Sequence, residues 1–136
     1  LADPVYLPDR LLEALTDARL AVLSVPLTEA TEGLIGAEEL AAMDDDGIVI
    51  NVARGPVLDT TALLSALEDD RLRGAGLDVF DEEPLPPDSP LWDHQRVFVT
   101  PHCAGTTDKY GQRALEIVLT EYRRWTAGEQ PRHRVV

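Results

Sequence analysis

Two periods of hydrophobicity alternate along this chain. Residues 9–15 place Leu11, Leu12 and Leu15 at helical spacing, with Asp9 as the expected N-cap. The run Leu20–Val25, stopped by Pro26, reads as a short buried strand. Thr28–Gly36 is polar and turn-rich, and Ala37–Met43 predicts a short helix with Leu40 and Met43 turned inward. A turn at Asp44-Asp45-Asp46-Gly47 leads into a second strand, Ile48–Val52, which Ala53-Arg54-Gly55-Pro56 breaks. Asp59 is the expected cap of a helix reaching about Asp70, with Leu63, Leu64 and Leu67 as its buried stripe. Gly74–Phe80 predicts a third strand and Val97–Thr100 a fourth. Between them, Pro84, Pro86, Pro87 and Pro90 force an extended loop over Asp81–Trp92. From Thr106 or Thr107 to about Thr126, the stripe Tyr110, Ala114, Ile117, Val118, Tyr122 and Trp125 predicts a long amphipathic helix ended by Gly128.

Helices alternating with continuous apolar strands imply an α/β fold whose parallel sheet is covered on both faces. Ligands of such sheets bind at the carboxyl ends of the strands. Pro26-Leu27-Thr28 follows the first strand and Ala53-Arg54-Gly55 the second; Asp78 and then Glu82-Glu83-Pro84 follow the third, and Pro101-His102-Cys103-Ala104-Gly105 the fourth. An arginine fork holds a carboxylate through two parallel hydrogen bonds. A histidine is the usual general acid/base near neutral pH, and a carboxylate beside it fixes its tautomer and favours its protonated form. Arg54, a carboxylate and His102 on one sheet edge therefore suit proton transfer next to a substrate carboxylate. The alternative is that they are ordinary loop residues that happen to follow strands.

Composition narrows the classes. The chain has 136 residues, 44% of them apolar, which is enough for a core and for one domain. Its 25 acidic residues against 12 basic ones, a net charge of −13, exclude nucleic acid as a partner, because counterion release needs a basic surface. No window is long and apolar enough for a membrane span, and no basic leader with an apolar stretch opens the chain. One cysteine, Cys103, excludes an internal disulfide and suits a reducing, cytoplasmic compartment. Lys109 is the only lysine, so the acidic surface suits either a salt-rich cytoplasm or a merely acidic enzyme. The first residues, Leu1-Ala2-Asp3-Pro4, lack a Met.

Four motifs carry a resemblance: Val25-Pro26-Leu27-Thr28 with Thr31-Glu32-Gly33-Leu34-Ile35; Ile50-Asn51-Val52-Ala53-Arg54-Gly55; Leu77 to Pro86; and Thr100-Pro101-His102-Cys103-Ala104-Gly105. In this order and near this spacing, they resemble the D-isomer-specific 2-hydroxyacid dehydrogenases, which use NAD or NADP. The resemblance implies a partial Rossmann-like parallel sheet with flanking helices and a long C-terminal helix. It implies that Arg54 binds the substrate carboxylate and carbonyl oxygen. His102 would take the hydroxyl proton as hydride leaves C2 for the nicotinamide, and Glu83 would hydrogen-bond His102. Asp78 would bind the nicotinamide carboxamide. Val25, Pro26 and Leu27 would line the adenine side, with Thr31 near the cofactor. Val52, Ala53, Arg54, His102, Ala104 and Gly105 would approach the nicotinamide. The substrate would be a small 2-hydroxy or 2-keto acid.

Departures from the pattern matter as much. The acidic triplet 44–46 is expected to be a solvated turn rather than a calcium loop. Cys103, where the family has an apolar residue, is expected to be small and buried rather than nucleophilic. His94 and His133 are expected to face solvent, and their spacing with His102 and Cys103 gives no zinc site, so no metal is expected. No G-x-S-x-G elbow argues for a hydrolase. The G-x-G-x-x-G turn that anchors a dinucleotide's pyrophosphate is also missing. The expectation is therefore the C-terminal portion of a dinucleotide-binding domain (1–105), then a helix and tail (106–136) that would return to an absent substrate domain. Such a piece would be inactive alone, expose an edge and apolar faces, and self-associate as a homodimer. The competing reading is a non-enzymatic interaction or regulatory module built from the same half-fold.

Overall fold

The computed structural model describes residues 4–132, so the expectations for His133 and for Leu1–Asp3 fall outside the described residues. Backbone contacts divide the chain into two compact units, the first ending at Ala104 and the second beginning at Gly105.

The first unit is a parallel sheet of four strands, β1 (Leu20–Leu23), β2 (Ile48–Asn51), β3 (Gly74–Leu77) and β4 (Val97–Val99), paired in sequence order. Helices α1 (Leu11–Leu15), α2 (Ala37–Ala42) and α3 (Thr60–Glu68) accompany it. Right-handed crossovers that never reverse direction deliver their helices to one side of the sheet. The inward residues Ala21, Leu23, Val49, Ala75 and Leu77 accordingly join Leu15, Leu40, Leu63 and Leu67 in one core. This corrects the expectation of a sheet covered on both faces. The opposite face carries Leu20, Val22 and Phe98, which are 56%, 53% and 72% exposed.

No helix is described between β3 and β4. Leu91, 3% exposed, and the half-buried Leu85 pack the proline-rich connection onto the core. Arg96 completes α3 from a distance: its Nη1 donates to Asp70 Oδ1 at 2.8 Å and its Nη2 to the Leu67 carbonyl. A guanidinium there satisfies carbonyls left open at a helix C-terminus.

Other differences are local. Asp59 caps α3 as expected, accepting the N–H groups of Thr61 and Ala62 at 2.9 and 3.0 Å. Asp9 does not cap α1. Pro8 starts a 3-10 turn over Pro8–Arg10, so Asp9 lies inside the first turn and Arg10 takes the N-cap position. The triplet 44–46 is the exposed turn expected, with surface ion pairs from Arg19 to Asp44 at 3.5 Å and from Arg71 to Asp45 at 3.0 Å. Each strand stops short of its expected carboxyl end, because there the backbone turns into the loops that build the site.

In the second unit, α4 (Tyr110–Thr126) begins later than expected. Residues 107–110 instead form a turn in which the Tyr110 N–H reaches the Thr107 carbonyl at 3.1 Å. Tyr110, Ile117, Val118, Tyr122 and Trp125 of its apolar stripe are exposed, and Gly128, at φ +77°, ends the helix. No helix among the described residues is long and apolar enough to cross a membrane.

Candidate active site

Three loops at the carboxyl edge hold the candidate catalytic residues. Arg54 follows β2. Its Nη1 donates to the Ala53 carbonyl at 2.6 Å, and the residue is exposed between the buried Ala53 and Gly55. Glu83 follows β3, where Glu83–Pro84 is a cis peptide; its Oε1 accepts the Phe80 N–H at 3.0 Å. His102 follows β4, and its Nδ1 lies 2.7 Å from Glu83 Oε2. The structure thus brings Glu83 and His102 into direct contact. The hydrogen bond from His102 comes first, with the Phe80 N–H next, in holding the Glu83 carboxyl below its ordinary value; the Arg54 charge pulls the same way. Glu82, adjacent and equally charged, makes no such contact with His102.

The His102 backbone is left-handed, with φ at +49°, a conformation that histidine visits more readily than most side chains. Asp78 holds it there. This carboxylate is 4% exposed and accepts the Thr100 hydroxyl and the Cys103 N–H at Oδ1 and the Ala104 N–H at Oδ2. The His102 N–H itself bonds the Asp78 carbonyl at 2.8 Å. Burial, the largest influence on Asp78, raises its pKa, but these hydrogen bonds together outweigh it and leave the group below its ordinary value. The Cys103 and Ala104 N–H groups tie the loop backbone to Asp78 at the end of β3. Cys103 is exposed, against the expectation of burial.

A lowered carboxyl pKa stabilises the fold above the unfolded value, and that stability disappears as pH falls through the folded value. Asp78→Asn is expected to lower the urea midpoint at neutral pH and to differ less from the parent as pH falls through the folded value of Asp78. A gap of constant size across that range would contradict the assignment.

The other expected residues occupy the same edge. Val25 is half-buried, and Pro26 and Leu27 are exposed after β1, with Leu27 42% exposed. Thr31 closes that loop by donating to the Pro26 carbonyl at 2.7 Å and accepting the Thr28 N–H at 2.8 Å. Val52 is 36% exposed and Ala53 is buried; Ala104 is exposed, and Gly105 opens the second unit. His94 is half-buried rather than solvent-facing, because its Nδ1 accepts the Arg96 N–H at 3.2 Å. Beside the Glu83–His102 pair lies a cleft of about 630 Å3, lined by Phe80, Pro84, Leu85, Trp92, Val99 and Pro101. Trp92 Nε1 donates to the Pro86 carbonyl at 2.8 Å and so fixes its outer wall.

Two residues that the sequence reading passed over shape the site. Asn51 lies buried beneath the Arg54 turn. Gly55 packs so closely that a Cβ would stand 2.0 Å from the Phe80 carbonyl carbon. The sequence signal for both was their place beside Arg54 in the second motif.

Residues 2–104 match the family profile described as D-isomer specific 2-hydroxyacid dehydrogenase, NAD binding domain. A glyoxylate reductase of Korarchaeum cryptofilum is 40% identical over 93% of this chain and 37% of its own length. Glyoxylate/hydroxypyruvate reductase B of Yersinia pestis is 46% identical over 68% of the chain and 28% of its own length. Among solved structures, a D-isomer specific 2-hydroxyacid dehydrogenase of Xanthobacter autotrophicus, in complex with NADPH and MES, superposes with a TM-score of 0.86 at 41% identity. That match covers 94% of this chain and 52% of the other. An NADPH-dependent glyoxylate/hydroxypyruvate reductase of Sinorhizobium meliloti, in complex with NADP and sulfate, gives 0.85 at 32% identity, over 96% and 42%. The chain therefore spans well under two thirds of these relatives.

Proposed function

The chain belongs to the D-isomer specific 2-hydroxyacid dehydrogenase family, and from that membership we propose that it forms part of an NAD(P)-dependent oxidoreductase interconverting a small D-2-hydroxy acid and its 2-keto acid. In this reading residues 1–105 are the C-terminal portion of its nucleotide-binding domain, and 106–136 the helix and tail that return to a substrate domain. Glyoxylate and hydroxypyruvate, named for the relatives, are the substrates of first choice. The observation that carries the proposal is the 2.7 Å Glu83–His102 pair with the Arg54 charge acting on the same carboxylate.

The residues present fit the nicotinamide end of a cofactor. Val52 offers exposed apolar surface at the carboxyl edge, and Asp78 Oδ2 receives a single N–H and keeps acceptor capacity for an amide. Val25, Pro26, Leu27 and Thr31 would line the adenine side. When bound, the reduced nicotinamide supplies the hydride that C2 of the keto acid accepts. Arg54 holds the substrate carboxylate with its fork and draws the carbonyl oxygen's electrons. As the carbonyl π pair moves to that oxygen, His102 gives it a proton from Nε2. The Glu83 carboxylate accepts the Nδ1–H, which fixes the ring's tautomer and orientation, and it stabilises the imidazolium from which the proton leaves. Oxidation reverses each step, with neutral His102 taking the hydroxyl proton.

The test is a paired assay. The full-length product of the gene is expected to consume reduced NAD(P) in the presence of glyoxylate or hydroxypyruvate. The 136-residue chain alone is expected to show no turnover and no tight NAD binding in calorimetry, because it lacks the glycine turn that anchors the pyrophosphate. An inert full-length protein would defeat the enzyme reading in favour of a binding module. Tight binding by the short chain would defeat the division of labour proposed for it. We further propose a homodimer in a reducing, cytoplasmic setting. The apolar face of Leu20, Val22 and Phe98 and the free thiol of Cys103 support these two readings.

A further inference from the structure

Asn51 has no role in the chemistry described so far, yet it is among the most buried side chains of the protein, at 1% exposure. It ends β2 on the face that packs against the helices, in register with Leu23 and Leu77. An apolar residue is what that face favours. A primary amide there is costly unless each of its polar ends finds a partner. Asn51 finds both within three residues: Oδ1 accepts the Ala53 N–H at 3.0 Å, and Nδ2 donates to the Arg54 carbonyl at 3.0 Å. Its own carbonyl accepts the Asp78 N–H at 3.0 Å, so the same residue also joins the ends of β2 and β3.

These bonds bracket one turn. The donor at Ala53 and the acceptor at Arg54 lie on either side of the peptide link between those residues, so a single rigid amide sets the path of the backbone through it. Arg54 is extended there, at φ −145° and ψ 150°, and its guanidinium leans back on the Ala53 carbonyl at 2.6 Å. The direction in which the fork points thus depends on the backbone that Asn51 holds from beneath. Gly55, pressed against Phe80, limits the turn on the other side.

We infer that Asn51 is the positioning residue for Arg54: its buried amide fixes the turn so that the guanidinium meets the substrate carboxylate, and Asn51 itself touches no substrate. The inference rests on the proposed reading of Arg54 as the carboxylate site. Asn51→Leu keeps the number of side-chain heavy atoms and removes both bonds. Asn51→Asp keeps the acceptor for Ala53 but sets a charge against the Arg54 carbonyl in place of a donor.

The experiment uses the full-length enzyme with glyoxylate and hydroxypyruvate, and the two Asn51 variants each alone and combined with Arg54→Ala. Either single variant is expected to lower kcat/KM for the keto acid about ten- to a hundredfold, mostly through KM, with the KM for the reduced cofactor little changed. In the Arg54→Ala background the same substitutions are expected to cost nothing more, since the group through which they act is gone. Losses that multiply with that of Arg54→Ala would overturn the inference, as would a lower kcat at unchanged KM, which marks only a smaller folded fraction. Asn51→Asp serves as the second variant should Asn51→Leu fail to fold. If Arg54→Ala leaves keto-acid turnover intact, the carboxylate-site reading fails and the inference with it. If Arg54→Ala is crippling while both Asn51 variants turn over normally, the inference fails alone.

Discussion

Asn in place of His102 is expected to cost the full-length enzyme about 100- to 10,000-fold in kcat, the range for losing a general acid/base. Asparagine is the informative replacement because position 102 sits at φ +49°, which Asn tolerates at least as well as His and a β-branched residue does not. With the His102 side chain 46% exposed, little packing is lost, so the thermal midpoint should stay near that of the parent. A collapse in kcat without a collapse in stability then isolates the chemistry. Glu83→Gln should fall between the two. The amide can still accept the Phe80 N–H, but it removes the negative charge that stabilises the imidazolium. His102→Asn retaining turnover within tenfold of the parent would remove His102 from the reaction.

The strands and the trio in the loops that follow them were readable because each depends on local chemistry. Apolar runs broken by Pro26, Ala53-Arg54-Gly55 and Thr100-Pro101 announce both the strands and the loops that leave them. Asp59 announces its helix in the same way, through a side chain that caps N–H groups two and three residues on. What the sequence left hidden depends on distant partners. The one-sided cover of the sheet follows from the unreversed strand order, which apolar runs do not encode. Cys103 looked like a buried small residue, but its loop is tied to Asp78, which follows β3, and Cys103 is exposed there. Arg96 closes a helix that ends well upstream of it. Asn51 and Gly55 were in view within a quoted motif, but their burial and close contacts exist only once β3 lies beside β2.

Gly55 gives the second large effect, in which stability and catalysis should move together. A Cβ built there would stand 2.0 Å from the Phe80 carbonyl carbon, 2.1 Å from its oxygen and 2.3 Å from the Asp81 nitrogen. Every one of these is backbone, so no rotamer change relieves the clash and the Arg54 turn must move away from the β3 loop. Overpacking of this kind costs about 1–3 kcal/mol and sometimes more. The displaced segments carry Arg54 on one side and, through the Phe80 N–H, Glu83 on the other. Gly55→Ala should therefore lower the urea midpoint of the full-length protein. It should also lower kcat/KM for the keto acid, by about a hundredfold if the turn shifts by about 1 Å. Gly111 supplies the control. It lies in the first turn of α4 with nothing near its missing Cβ, so alanine there should stabilise the helix by at most about 0.5–1 kcal/mol and leave turnover unchanged. Gly55→Ala with a normal midpoint and a normal keto-acid KM would mean that the two loops tolerate separation. The close approach at Gly55 would then be incidental to how Arg54 and Glu83 are held.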